Sequence, residues 1–520
     1  MQPKKPNLYS VAFLLILAGA ILRFTFLGKH NLWYDEAASF IIAQKDYISA
    51  QSPLYYHILK FSSMVFGTSE WALRMPSAVF STLSLIFVYL LAKKLAGRHI
   101  ALLTLAITAL SAFHIWYAQE ARAYALVLLL GTAGTFFLYS FLRDPKNKKH
   151  LLLYICFSTL GLYSSYFYIV LFIFQQIYVL STLKKPLYFK MLFLVPILLM
   201  AEQYMPFLRT LLNMARGFWI ETPIPNSILI TFENFLLGYN GTTILYFFSS
   251  LLTLLTFFSC ILLCSKKAPE KKEITFLFTL SFLPILFIFI FSKVFFSIYL
   301  DRALLIFSPY YYILLAMAVA SLKFKMIRIP VIVFIITASS VSTLRYFSDI
   351  MYEPFKSRHH LGTWLKKPYA PLADFLKANL RKNDRVLFAY LSPIYPVYYY
   401  MKVPENDFLS FSSHAYDPEA IDTNTNMPFK NALKKRSFYF NTYDSLDVLT
   451  KTGGRIFLIG GSFQRDSSLD ENSRIMKAYF DRAMARAGSL DFDGIKVFIY
   501  ENKDPALATL ISLANIKEIK

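Results

Sequence analysis

Cysteine is nearly missing from this chain: three occur in 520 residues, at Cys156, Cys260 and Cys264, each inside an apolar run. The loops and the C-terminal region therefore have no disulfide framework. Cys260 and Cys264 share a helix face at i, i+4, but without His or acidic neighbours they read as packing residues and not as a metal site. Acidic residues are also scarce, 32 Asp+Glu against 54 Lys+Arg, for a net charge of +22. That surplus lies in short clusters between apolar runs. A soluble basic domain with interleaved aromatics is missing, which argues against a nucleic-acid partner. The chain also lacks an internal repeat, a phosphate-binding loop and a nucleotide fingerprint; Gly453-Gly454 and Gly460-Gly461 read as turns at either end of a strand.

What the chain has in abundance is apolar surface. Hydrophobic residues make up 56% of it, with 51 Phe and a mean hydropathy of +0.45, more than a soluble core of this length needs. A helix crosses the hydrocarbon with about 20 apolar residues. By that criterion spans fall near 9–27, 76–92, 100–116, 124–142, 151–163, 166–182, 191–208, 242–264, 274–291, 303–322 and 329–345, eleven in all. The fold class expected is mainly α: a polytopic helical bundle over residues 1–345 with an external loop at 28–75, followed by an α/β domain over 346–520.

The loop charges support this threading. Lys4-Lys5, Lys93-Lys94 with Arg98, Arg143 with Lys146, Lys148 and Lys149, Lys184-Lys185, Lys266-Lys267 with Lys271-Lys272, and Lys323-Lys325-Arg328 all fall on one face, which the positive-inside rule makes cytoplasmic. The stretch 151–182 would make ~48 Å of continuous helix, too long for one crossing. A tight turn at Gly161–Ser165 keeps the next lysines inside. Lys4-Lys5 and Ala18-Gly19-Ala20 resemble a signal peptide, but cleavage would remove a helix that the charges support, so an uncleaved first helix is expected. Beyond residue 345 a helix-like Ala373–Leu380 and strands at Arg385–Tyr390, Arg455–Ile459 and Ile495–Tyr500 mark the α/β domain.

Five polar segments outside the spans carry candidate chemistry. Asn31-Leu32-Trp33-Tyr34-Asp35-Glu36 sets two carboxylates at the membrane surface. Desolvated acids are costly there unless they bind a metal, accept a proton or pair with a base, although both could simply cap the following helix. Pro53-Leu54-Tyr55-Tyr56-His57 opens an amphipathic stretch to Phe66 suited to the interface; Tyr55 and Tyr56 are either anchors or substrate contacts. Glu70 and Arg74 make an ordinary i, i+4 pair unless Arg74 faces a phosphate. Tyr117-Ala118-Gln119-Glu120-Ala121-Arg122 is a short external connection with more polar groups than a turn needs. Asp301-Arg302 opens a late span, where Arg302 either snorkels or, with Lys293, binds an anionic headgroup.

An acidic pair after the first helix, Pro-Leu-Tyr-Tyr, Glu-x-x-x-Arg-x-Pro-Ser at 70–77 and Tyr-Ala-Gln-Glu-Ala-Arg-x-Tyr at 117–124 occur here in that order. The order resembles the bacterial relatives of dolichyl-phosphate-mannose protein mannosyltransferases and the lipid A aminoarabinose transferases. These are GT-C membrane glycosyltransferases that take sugars from polyprenyl-phosphate donors. The resemblance covers residues 8 to about 145, and 301–315 loosely. It implies that Asp35 is the catalytic carboxylate with Glu36 beside it, and that Gln119, Glu120 and Arg122 line the same external cavity. Where the family often has His-Pro, this chain has Gln51-Ser52-Pro53, and Arg302-Ala303 stands where relatives often show Arg-Tyr. No inserted lumenal repeat module is found, which points to a bacterial relative in the cytoplasmic membrane with a periplasmic C-terminal domain.

The chemistry expected on that basis is displacement of a lipid phosphate from an anomeric carbon by an acceptor hydroxyl. Asp35 takes the proton, Glu36 and Glu120 position it or hold a divalent ion, and Arg74, Arg122 or Arg302 neutralises the phosphate. Asp35, Glu36 and Glu120 are thus the candidate metal ligands. The sugar and the acceptor, whether glycan, lipid or protein, stay open. A lipid-linked sugar transporter or flippase is the second expectation, disfavoured by the lack of repeats, and a sensor the third, disfavoured by the lack of a cytoplasmic output domain.

Overall fold

The structure is a computed structural model that describes residues 8–44, 52–182, 194–200, 220–265, 270–351, 366–390, 392–402, 408–411, 439–440, 450, 454–461 and 469–502. The chain divides into two compact units, residues 1–27 with 51–363, and residues 28–50 with 364–520. From the N-terminus the helices are α1 (Leu8–Phe24), α2 (Tyr34–Ala43), α3 (Pro53–Phe66), α4 (Glu70–Ala96), α5 (Arg98–Leu110), α6 (Ala112–Ala118), α7 (Tyr124–Arg143), α8 (Lys148–Ser164) and α9 (Tyr168–Thr182). All of these but α2 belong to the first unit, as do the later helices Ser227–Leu237, Thr243–Ser265, Lys271–Val294, Ser308–Ala320 and Lys325–Phe347.

Among the described residues six helical stretches are long and apolar enough to cross a membrane: α4, α7, Thr243–Cys264, Lys271–Val294, Asp301–Ala320 and Lys325–Phe347. The pair α5 and α6, bent by 57°, makes a seventh if counted as one span. The chain is a multi-pass membrane protein. The expected spans 9–27 and 166–182 are the apolar but shorter α1 and α9, and most of the expected span 191–208 lies outside the described residues. Small residues let the helices approach closely: α4 buries Ala78, Ser81, Leu85, Val88 and Ala92 along one stripe.

Two breaks shape the bundle, and both have local causes. At Ser111 the helix restarts because the Ser111 hydroxyl accepts the N–H of His114 at 3.3 Å, as an N-cap does. Between α8 and α9 the chain turns at residues 165–167, beside the expected Gly161–Ser165, and the Ser165 hydroxyl accepts the N–H of Phe167 at 3.2 Å. Tyr168 then folds back over Gly161, where an added Cβ would lie 2.1 Å from its ring. Of the expected cationic clusters, Lys4-Lys5, Lys184-Lys185 and Lys266-Lys267 lie outside the described residues. Arg98 donates to the Tyr9 hydroxyl at 2.8 Å, Lys93 sits over the same ring at 5.0 Å, and Arg143 pairs with Glu273.

The second unit is a six-stranded sheet of order β3-β2-β1-β4-β6-β5. The strands are β1 (Arg385–Phe388), β2 (Phe408–Phe411), β3 (Tyr439–Phe440), β4 (Ile456–Gly461), β5 (Ala485–Phe492) and β6 (Ile495–Glu501). Strands β3, β2, β1 and β4 run parallel, whereas β6 is antiparallel to β4 and β5. Strand β4 is buried at every position, which explains its unbroken apolar run. Asp493 (φ 50°) and Gly494 (φ 81°) make the tight turn of the β5–β6 hairpin, a task suited to Asp-Gly. Met476 and Phe480 of the helix Glu471–Ala483 pack on Leu387, Leu458, Phe498 and Tyr500.

Helix α2 and the residues before it fasten to this unit. Asn31 Oδ1 accepts the N–H of Ala370 at 3.0 Å, and the N–H of Leu32 donates to the Tyr400 hydroxyl at 2.7 Å. The Tyr34 ring lies 4.7 Å from that of Tyr395, and Phe40 lies 5.3 Å from Tyr399, both partners on the helix Ile394–Met401.

Candidate active site

In the first unit, one end of the bundle collects most of the polar candidates. A helix C-terminus leaves four carbonyls without an intrahelical partner. At the end of α1 the Gln119 amide supplies the missing donor, reaching the carbonyls of Leu22, Arg23 and Thr25 at 3.3, 3.1 and 2.7 Å. Its Oε1 accepts the Tyr346 hydroxyl at 2.8 Å. Gln119 thus clamps α1 to the helix Lys325–Phe347. Glu120, nearly buried, accepts the Trp116 indole N–H at 2.8 Å. The Arg122 guanidinium, half-buried, lies over the Tyr124 ring at 5.7 Å, while its backbone carbonyl accepts the Ser77 hydroxyl at 3.1 Å.

Ser77 also meets the Tyr55 hydroxyl at 2.9 Å. Tyr55 and Tyr56 are both buried, so neither ring is presented to lipid; the exposed face of α3 is Phe61, Met64, Val65 and Phe66. Arg74 is buried and donates to the Leu27 carbonyl at 3.0 Å. Asp301 is buried, accepting the Thr231 hydroxyl at 2.7 Å and the Asn234 amide at 2.5 Å, which pins the turn that carries the nearly buried Arg302. Lys293 is exposed in the last turn of Lys271–Val294.

Two residues of this region were not singled out as site candidates from the sequence. Arg23 is fully buried, donating to the Ser81 hydroxyl at 2.8 Å and to the carbonyls of Gly19, Ala109 and Thr108 at 2.9, 3.2 and 3.1 Å. The signal available was a lone cation inside an apolar run, a position that is rare unless functional. His114, buried in α6, shares a hydrogen bond with Ser308 at 2.8 Å.

The acidic pair belongs to the second unit. Glu36 is fully buried; its Oε2 accepts the N–H of Trp33 at 3.4 Å and lies 3.8 Å from Lys366 Nζ. That is a helix-capping arrangement reinforced by an ion pair. Asp35 is half-buried, and its backbone carbonyl accepts the Ser39 hydroxyl at 2.7 Å. Of the two carboxylates Asp35 is the more accessible. Deeper in the same unit the buried Asp384 is gripped by Arg455, with Nη2 at 2.7 Å. Burial alone would raise its carboxyl, but the Arg455 side chain and the backbone N–H groups of Arg381 and Arg455 hold it below the usual carboxylate range.

Among the described residues no three His, Cys, Asp or Glu side chains are placed to hold a metal ion. Asp35 and Glu36 lie in one unit and Glu120 in the other. The described part of the bundle does include the guanidinium groups of Arg74, Arg122 and Arg302, whose fork geometry suits phosphate oxygens.

Comparison with known proteins follows these divisions. Residues 50–206 match the family model described as dolichyl-phosphate-mannose-protein mannosyltransferase, a stretch that contains Tyr55, Tyr56, Arg74, Gln119, Glu120 and Arg122. The putative mannosyltransferase YkcB of Bacillus subtilis (strain 168) is 26% identical over 167 residues, which are 28% of this chain and 22% of that protein. The chain thus spans under a quarter of the length of the curated relative it matches. Among solved structures, ArnT from Cupriavidus metallidurans in the apo state aligns with a TM-score of 0.60 at 12% identity, covering 95% of this chain and 98% of ArnT. The same protein bound to undecaprenyl phosphate aligns at 0.57, covering 94% and 97%. The chain has the fold of ArnT, a GT-C-type helical bundle followed by a small α/β unit.

Proposed function

We propose that the protein is a membrane glycosyltransferase that moves a sugar from a polyprenyl-phosphate donor to an acceptor hydroxyl, on the extracytoplasmic face of the bacterial cytoplasmic membrane. The observation that carries this is the coincidence of two matches. The mannosyltransferase family model falls on the stretch that holds Arg74, Glu120 and Arg122, within a fold shared along its length with ArnT. The undecaprenyl phosphate bound to ArnT supports a polyprenyl carrier as the donor.

Asp35, in the second unit, accepts the proton of the acceptor hydroxyl as the new glycosidic C–O bond forms at the anomeric carbon. The bond from that carbon to the phosphate oxygen breaks, and the leaving polyprenyl phosphate carries the extra negative charge. An arginine of the bundle, Arg74, Arg122 or Arg302, binds and neutralises it. Glu120 and Gln119 hold the connection that bears Arg122. One displacement inverts the anomeric centre. No step is assigned to a metal.

The test is to incubate purified protein with a panel of polyprenyl-phosphate sugars and follow release of free polyprenyl phosphate, with wild type beside Asp35→Asn. Turnover near wild type in a well-folded Asp35→Asn variant sinks the assignment of the base. Intact donor crossing between leaflets with no free carrier released indicates a flippase.

A further inference from the structure

We infer that the α/β unit has a task in catalysis: it holds the acidic helix α2 in register, with Lys366 as the positioning residue that acts through Glu36 on Asp35. This deepens the reading of Asp35 as the base and rests on it. Residues 28–50 group with 364–520 and not with the bundle that flanks them in sequence. Four contacts make the attachment: Asn31 to Ala370, Leu32 to Tyr400, Tyr34 to Tyr395 and Phe40 to Tyr399. They bracket Asp35 on both sides.

Lys366 fixes what lies between. Its side chain is 9% exposed and that of Glu36 is 0% exposed, with 3.8 Å between charged atoms. A buried charge is tolerated only when paired, so the two side chains must stay together. The Glu36 oxygen that faces Lys366 also accepts the N–H of Trp33. One carboxylate oxygen therefore ties the first turn of α2 to the start of the α/β unit. Asp35 sits in that turn, between a ring packed on Tyr395 and a carboxylate locked by Lys366. A general base misplaced by 1 Å can lose about a hundredfold in rate. The ties are useful to catalysis because they allow the half-buried carboxylate little freedom.

The experiment compares full-length Lys366→Met, Lys366→Arg, Glu36→Gln/Lys366→Met and Asp35→Asn. It reads kcat, donor KM and hydrogen exchange of α2 against β4. Lys366→Met is expected to lower kcat by about ten- to a hundredfold with donor KM changed by less than about twofold. Lys366→Arg should recover most of the loss. The double variant removes the unpaired buried charge and so folds, yet keeps the low kcat. Amides of α2 should exchange faster in Lys366→Met while those of β4 do not change. Wild-type kcat in Lys366→Met, or equal acceleration of β4, overturns the inference even when Asp35→Asn is inactive. An active Asp35→Asn overturns the base instead, and the exchange comparison then decides alone whether Lys366 holds α2.

Discussion

In the helical bundle the buried guanidinium of Arg23 is met by three carbonyls and a hydroxyl, all neutral. In the α/β unit the buried carboxylates of Glu36 and Asp384 are each met by a cation. The difference follows from what each architecture has to offer. Helix ends and breaks supply unused carbonyls, so a bundle can keep a cation without cancelling it. A buried carboxylate needs donors instead, and Glu36 and Asp384 are each met by backbone N–H together with one cationic side chain. On the proposed reading the bundle binds the phosphate and the α/β unit fixes the base.

The sharpest way to break this division is Asp35→Asn. Loss of the base should lower kcat by about 10²- to 10⁴-fold with little change in donor KM, measured by release of free carrier; a loss confined to KM would assign binding to the wrong unit. Next comes Arg23→Met, which leaves carbonyls of Gly19, Thr108 and Ala109 without their donor and should cost the bundle about 3 kcal/mol. Thermal unfolding in detergent reads this out, and an unchanged midpoint would mean that the cation is not what those carbonyls serve. Arg122→Gln and Arg302→Gln should each raise donor KM by about tenfold or more while kcat changes less; the opposite split would place the phosphate elsewhere.

The smallest effect is acid sensitivity of the α/β unit. Because the Asp384 carboxyl is held below its usual range, the unfolded chain takes up its proton first as pH falls. The stability it contributes is complete above the unfolded carboxyl range, about pH 4, and is lost as pH drops through the folded value. Exchange rates of β4 amides between pH 6 and pH 3 should show this, and Asp384→Asn should flatten that part of the profile.

Much of the bundle was legible in the sequence because each apolar run is its own local signal. The break near Gly161 was legible from Gly and Ser and from the lysines on either side. Strands β1, β4 and β6 showed as apolar runs, but β5 did not. Its residues are mostly exposed, so nothing in Ala485–Phe492 alternates. The helix Glu471–Ala483 was missed although Ile475, Met476, Tyr479, Phe480 and Ala483 recur at helical spacing.

The candidate residues were legible as types, and their partners were not. Asn31 meets Ala370 and Leu32 meets Tyr400 across more than three hundred residues, and no periodicity encodes that. Hence 28–50 was expected with the bundle, whereas it groups with the α/β unit. Arg23 escaped for a related reason: its acceptors are mainly backbone carbonyls, which every sequence has and none displays.

The 57° bend between α5 and α6 lies just past two of those acceptors, Thr108 and Ala109, in the final turn of α5. Had the helix run straight through Ser111, their lone pairs would point along the axis at amides one turn ahead. Bent, the helix turns the negative pole of its dipole toward a guanidinium that no water reaches. The kink therefore works as a hydration shell made of peptide groups, already oriented before any charge arrives. A change that straightens the rod at Ser111 would strip Arg23 of its solvent without touching the arginine.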